Sequence, residues 1–266
     1  MIASRRRGVP AWLVVLLLGV AAPAMAAQEP AGGQALEQAA SDPTASLMSL
    51  QVQNVYAPSY HRLDDESGNT LLLRSALPFR TGELSHIARL TLPVITDSPS
   101  GADGLGDLVL FDLVVFERAW GRWGVGPVML APTASNETLG AEKWAAGPAI
   151  GFTARRGKLM WGLFDQNLFS FAGEGEREDV NLSILQPILN YSLPRKWSVG
   201  TSEMNLIYDW ERGEWIALPL GVKLAKLVKF SGLPVQFAGA GEYNFDDDEV
   251  IPEWTFSLTA KLLFPI

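Results

Sequence analysis

The sequence predicts an all-β fold, an antiparallel transmembrane β-barrel of about twelve strands with short periplasmic turns and longer acidic outer loops. Three observations carry that prediction. Runs of about ten residues alternate apolar with polar or small side chains, as a strand with one lipid face and one wet face requires. The connections between the runs sort by charge. No stretch after Ala27 reaches the ~20 apolar residues that a membrane-spanning helix needs.

The final run shows the alternation best. Trp254, Phe256, Leu258, Ala260, Leu262 and Phe264 share one parity, against Thr255, Ser257, Thr259 and Lys261. The stretches Ile216–Leu224 and Val235–Tyr243 repeat the pattern. Runs fall at 47–56, 70–80, 86–95, 105–116, 122–131, 144–154, 158–171, 180–191, 196–208, 215–226, 233–243 and 254–264. An even count places both ends of the barrel on one side. Alternate connections then form two sets. Residues 117–122, 155–158, 193–196 and 226–232 make a basic set, whereas 64–66, 97–104, 174–179, 209–214 and 246–249 make a longer, acidic one. Two features cut across the pattern. Pro78, Pro93, Pro127, Pro148, Pro187 and Pro219 fall inside predicted strands and should mark bulges or strand ends. In 105–116 and 158–171 both parities are apolar, so register is open there.

Composition narrows the function classes. The 266 residues are 48% hydrophobic and 19% charged, which excludes a disordered chain. Absence of cysteine excludes disulfides and thiolate metal sites, and a net charge of −8 argues against nucleic acid as a partner. Arg5, Arg6 and Arg7, the apolar run Ala11–Val20 and the small-x-small site Ala24-Met25-Ala26 read as a secretory signal over residues 1–26. Residues 27–46 then read as a periplasmic linker, with a helical turn or two over Ala35–Ala40 before Asp42-Pro43, and 47–266 as the barrel. This organisation places the chain in a bacterial outer membrane, with lipid, lipopolysaccharide and the barrel-assembly machinery as partners.

From Ala35 onward the chain resembles an outer-membrane family, the MetA pathway of phenol degradation proteins, whose members are often labelled transporter or neuromedin U. The resemblance rests on Leu36 to Leu47 (LEQAASDPTASL), Gly104-Leu105-Gly106-Asp107, Trp123-Gly124-Val125-Gly126-Pro127, and Leu139-Gly140 with Lys143-Trp144. It continues through Gln186 to Pro194 (QPILNYSLP), Leu218-Pro219-Leu220-Gly221 and Leu263-Phe264-Pro265. It implies an outer-membrane barrel that moves a small, aromatic or apolar solute. Ile266 departs from the aromatic last residue of many porins.

Inward parity nominates Arg74, Arg89, Lys223, Gln236, Glu242 and Lys261 as lumen residues, together with Gln51, Gln53 and Glu203. Such charges either form a constriction that sorts solutes or pair with one another and plug the barrel. The expected function is passive passage of a small solute, with a filled structural or binding barrel as the alternative. Trp123, Trp144, Trp197, Trp210 and Trp254 lie near predicted strand ends, where interfacial girdles belong. The run Asp246-Asp247-Asp248-Glu249 lacks the spacing of a calcium loop and reads as a solvated charge run. A barrel hydrolase needs a nucleophile beside a base, and only His61 and His86 supply imidazole. Ser85 beside His86 is a poor dyad, because neighbours on a strand point to opposite faces. No enzyme activity, cofactor or metal is expected.

Overall fold

The computed structural model describes residues 35–264. The signal-peptide reading, the first part of the linker and the terminal Pro265-Ile266 lie outside the described residues. After a single helical turn, α1 (Leu36–Ala39), the chain forms twelve wall strands. These are β1 (Met48–Tyr60), β2 (Gly68–Thr81), β3 (Leu84–Asp97), β4 (Gly104–Leu105 and Leu108–Arg118), β5 (Gly121–Ala131) and β6 (Lys143–Arg156). The second half contains β7 (Leu159–Gly173), β8 (Asn181–Leu193), β9 (Trp197–Thr201 and Leu206–Asp209), β10 (Glu214–Ala217 and Pro219–Phe230), β11 (Leu233–Asn244) and β12 (Pro252–Phe264). Each strand pairs antiparallel with its chain neighbours, and β12 pairs back onto β1 from Met48↔Phe264 to Tyr60↔Pro252. The sheet is therefore a closed twelve-stranded antiparallel barrel without a free edge. No helix among the described residues is long and apolar enough to cross a membrane.

Connection lengths alternate. Tight turns at 82–83, 119–120, 157–158, 194–196 and 231–232 close one end, where both β1 and β12 also terminate. Longer loops at 61–67, 98–103, 132–142, 174–180, 210–213 and 245–251 gather at the other. The turn Ser231-Gly232 has positive φ at both residues (48° and 90°), the geometry that matches the twist of two-residue hairpins. The loop end carries the carboxylates, including Asp246-Asp247-Asp248-Glu249 and Glu174, Glu176, Glu178 and Asp179.

Parity sets inside and outside. Leu50, Val52, Leu73, Leu77, Ile150, Leu189, Leu220, Val222 and Leu258 point outward and are exposed, Leu258 to 73%. Gln51 and Gln53, one residue away, are buried inside. The two stretches with muddled alternation resolve in register. Phe111, Leu113 and Val115 of β4 and Phe164 and Leu168 of β7 face inward into a hydrophobic cluster, while Leu110 and Trp161 face outward. Both parities are apolar because this sector of the interior is itself apolar.

Five of the six prolines have local solutions, while Pro78 lies in regular pairing opposite Ile87. Pro127 faces Pro148 across β5 and β6, so two residues without a donor oppose each other. Pro93 accepts from the Gly106 N–H at the break between the two parts of β4, and Pro219 begins the second part of β10. Pro187 lies beside the break in β9 at 202–205. There the Thr201 hydroxyl substitutes for strand backbone, donating to the Pro187 carbonyl and accepting from the Leu189 N–H.

Close approach fixes several glycines. A Cβ on Gly126 would stand 1.8 Å from the Asp112 carbonyl oxygen of the adjacent strand. Gly126→Val should therefore force β4 and β5 apart. The expected outcome is loss of the heat-sensitive, fast-migrating folded band on denaturing gels, or a clear fall in its melting temperature; an unchanged band would contradict this packing.

Candidate functional site

The barrel interior is divided lengthwise. Strands β3 to β8 contribute an apolar sector, with Ile87, Phe111, Leu113, Val128, Phe164 and Leu168 at its centre and Ile184 and Ile188 packed against them. The opposite sector, from β9 through β12 to β2, carries Gln51, Gln53, Arg74, Lys223, Gln236, Glu242 and Lys261 on inward parity. Arg89 of β3 sits on the seam, its guanidinium 5.6 Å from the centroid of the Phe111 ring.

Glu203 reaches the interior by a different route. Trp197 and Val199 point outward in the first part of β9, but Ile207 and Asp209 point inward in the second. The break at 202–205 thus inverts parity and turns Glu203 toward the lumen. Its carboxylate accepts from Arg74 Nη1 at 2.6 and 2.7 Å, and the same nitrogen donates to Gln53 Oε1 at 2.7 Å. Strands β2 and β9 stand at the two edges of the polar sector, five places apart around the ring of twelve, so this ion pair bridges the lumen.

The expected linker, from Ala35 on, does not run free below the barrel. Residues 35–47 fold inside its turn end and act as a plug. Ala39, Ala40, Ala45 and Leu47 pack against Leu227 and Leu263. Gln38 Nε2 donates to the Gly157 carbonyl at 3.3 Å, Gln236 Nε2 to the Glu37 carbonyl at 3.4 Å, and Lys261 Nζ to the Ala40 carbonyl at 2.8 Å. Asp42 anchors the other side: its Oδ1 accepts from the Thr44 N–H, the Thr44 hydroxyl and the Thr153 hydroxyl, and its Oδ2 lies 3.4 Å from Arg122 Nη1. Arg122, 1% exposed, also donates to Glu117 Oε1 at 2.9 Å. A buried carboxylate is tolerable only with such partners. Sequence reasoning missed Asp42, Arg122 and Thr153. Asp42-Pro43 was visible as a helix stop and as part of the family-like stretch Leu36 to Leu47, and Arg122 as a turn residue, neither as one half of a buried ion pair.

Plug and bridge leave little open space. The interior holds cavities of about 60, 30 and 20 Å³, all against the polar sector, enough for a few waters each. At the loop end a vestibule of about 560 Å³ has an apolar floor of Val180, Leu182, Ile216 and Ile251. Its rim is Arg177, Arg212 and several carboxylates. Arg212 lies among Glu249, Glu178 and Asp209, and Arg62 donates to the Asp248 carbonyl, so the acidic run has basic neighbours. Among the described residues no group of three or more metal-ligating side chains is placed to hold an ion.

The nominated tryptophans are all outward and lie in two rings. Trp123 and Trp197, with Trp120 and Trp161, circle the turn end; Trp144, Trp210 and Trp254, with Trp215, circle the loop end. Ser85 and His86 point to opposite faces. His86 faces outward, with Nδ1 2.9 Å from Asp112 Oδ2 and its ring stacked on Phe79. His61 Nε2 lies 2.9 Å from the Asn244 carbonyl in the loop region.

No protein-family model and no curated protein matches the chain. Among solved structures it is similar to the COG4313 outer membrane channel from Pseudomonas putida F1, at 15% identity and a TM-score of 0.60, over 89% of this chain and 100% of that one. It is also similar, at 9% identity and a TM-score of 0.44, to outer membrane phospholipase A from Escherichia coli, over 82% and 92% of the two chains. The first likeness agrees with the fold described above.

Two outcomes follow from these contacts. Arg74→Ala removes the cation bonded to Glu203, leaving it only more distant ones, and should cost about 2 kcal/mol, read as a lower urea midpoint of the folded barrel. The pair Arg74→Met with Glu203→Leu should recover most of it; full stability of the single variant would remove the bridge from the account. At the loop end, Lys143 Nζ at 3.0 Å and the Ser170 hydroxyl hold the Asp179 carboxyl below the ordinary carboxylate range. A depressed folded value stabilises above the unfolded one and loses that contribution as pH falls through the folded value. Loop 174–180 should therefore become more protease-sensitive in acid, modestly because Asp179 is exposed. Asp179→Asn should show that sensitivity already at neutral pH.

Proposed function

We propose that this chain is an outer-membrane channel that gives passive passage to a small, aromatic or apolar solute, and that residues 35–47 keep it closed at rest. The observation that carries the reading is the combination of two surfaces. Outside, a belt of exposed Leu, Val, Ile and Phe side chains stands between two tryptophan rings, a surface suited to lipid with its interfaces at either end. Inside, a continuous apolar strip faces a charged one, and the strip begins at the vestibule floor with Val180 and Leu182. A solute could slide along it while any polar group follows the opposite wall. The fold shared with a protein described as an outer membrane channel supports the reading, as does the resemblance to the MetA pathway of phenol degradation family. Membership of that family is part of the same proposal. Export by the signal segment 1–26, insertion by the barrel-assembly machinery and contact with lipopolysaccharide at the acidic loops belong to the same proposal.

The alternative, a structural or binding barrel with a filled lumen, draws on the Arg74–Glu203 bridge and the plug. Planar-bilayer recording separates the two. The native folded chain should be mostly silent, with rare brief openings. Asp42→Ala removes the anchor to Arg122 and Thr153 and should raise the open fraction at least tenfold, in discrete steps. Folded protein that stays silent in both forms would sink the channel reading and leave the filled barrel.

A further inference from the structure

An interior cavity of about 60 Å³ lies where the plug meets the polar wall, and its charges do not balance. Lys223 and Lys261 line it from β10 and β12, and Arg89 from the seam. Among the described residues none of the three has a carboxylate within 4 Å, although Arg74 and Arg122 of the same interior are paired. The two carboxylates on the cavity wall are already engaged, Glu203 by Arg74 and Asp42 by Arg122 and two threonines. Glu242 on β11 acts on Lys223 only at a distance. Three cations thus line a space whose own carboxylates are bonded to other groups, and unbalanced charge removed from bulk water is costly.

A second observation is independent of charge. Asn190 also lines the cavity; it is 2% exposed, and neither its amide nitrogen nor its oxygen has a hydrogen-bond partner among the described residues. The Ser41 hydroxyl of the plug, lining the same cavity, is buried and unpartnered as well. Buried polar groups in folded proteins are nearly always satisfied. An anion accepting from the Asn190 amide, the Ser41 hydroxyl and the three cations would satisfy most of them together.

We propose that this cavity is a binding site for the carboxylate of a small organic acid. A volume of about 60 Å³ suits a carboxylate and its first carbons rather than a whole large solute. Ile188 lines one side, and Phe111 lies under the Arg89 guanidinium, so an apolar body would continue onto the hydrophobic strip. The site also touches the closing element: Lys261 donates to the Ala40 carbonyl, and a carboxylate competes for that donor more strongly than a neutral carbonyl does. Binding at this site weakens one of the contacts that hold the plug.

The proposal deepens the channel reading but is tested without conduction. Titration calorimetry of the full folded chain in detergent, at fixed ionic strength, should show benzoate binding at least tenfold tighter than its neutral counterpart benzyl alcohol. Arg89→Gln and Lys223→Met should each weaken benzoate at least tenfold while retaining the folded gel band. Benzoate binding no tighter than benzyl alcohol, or undiminished in either folded variant, overturns the site. Acetate binding as tightly as benzoate would keep the anion site and remove its apolar extension. Silence in bilayers with benzoate binding intact sinks the channel and spares the site; conduction without benzoate binding does the reverse.

Discussion

Closure of the ladder between β1 and β12 is the constraint on which the other features depend. Once Met48 pairs with Phe264 and the ring is complete, every strand has two neighbours and the backbone has no free edge. Parity then has only two meanings, inside and outside, and each side chain is committed to one of them. A slip of one residue in any strand would turn its apolar face inward and its glutamines or lysines outward. The glycines at close approaches, Gly126 among them, hold that registration where a side chain would push the wall apart.

Twelve strands enclose more volume than small side chains alone can fill, and the barrel fills it in two ways. Across β3 to β8, phenylalanines and branched aliphatics interdigitate as they would in a soluble core. Across the remaining wall, long charged side chains reach inward, and one meets its partner from the far side at Glu203. The plug completes the filling at the turn end, bringing its own carboxylate, Asp42, to meet Arg122. Ion pairing and chain insertion therefore serve the same physical purpose, which is to avoid isolated charge in a confined space.

Much of this architecture was legible in the sequence because alternation is a local signal. All twelve runs appear as wall strands, and the charge sorting of their connections matches the observed turn and loop ends. What failed to show is non-local. The apolar strip lay in 105–116 and 158–171, where alternation vanishes because lumen and exterior demand the same chemistry. Glu203, nominated for the lumen, reaches it through the break at 202–205, which inverts parity along β9; Pro187, on the neighbouring strand, was the available hint of that break. The plug has no periodicity at all. Its burial comes from partners such as Thr153 and Lys261, more than a hundred residues away in the chain, and composition alone made it look like a tether.

The plug is covalently continuous with the first residue of β1, and that continuity changes how strongly it must hold. A segment leashed within a few residues of its own binding place meets it at a local concentration in the millimolar range or above, whatever the abundance of the protein. Contacts that are each modest, three side-chain-to-carbonyl hydrogen bonds, the Thr153 bond to Asp42, the Asp42–Arg122 pair and the alanine packing, then hold it seated together. Reseating is unimolecular, so dilution does not slow it. On the channel reading proposed above, each opening would be brief, and the segment that fills the turn end stays tethered to the barrel it fills.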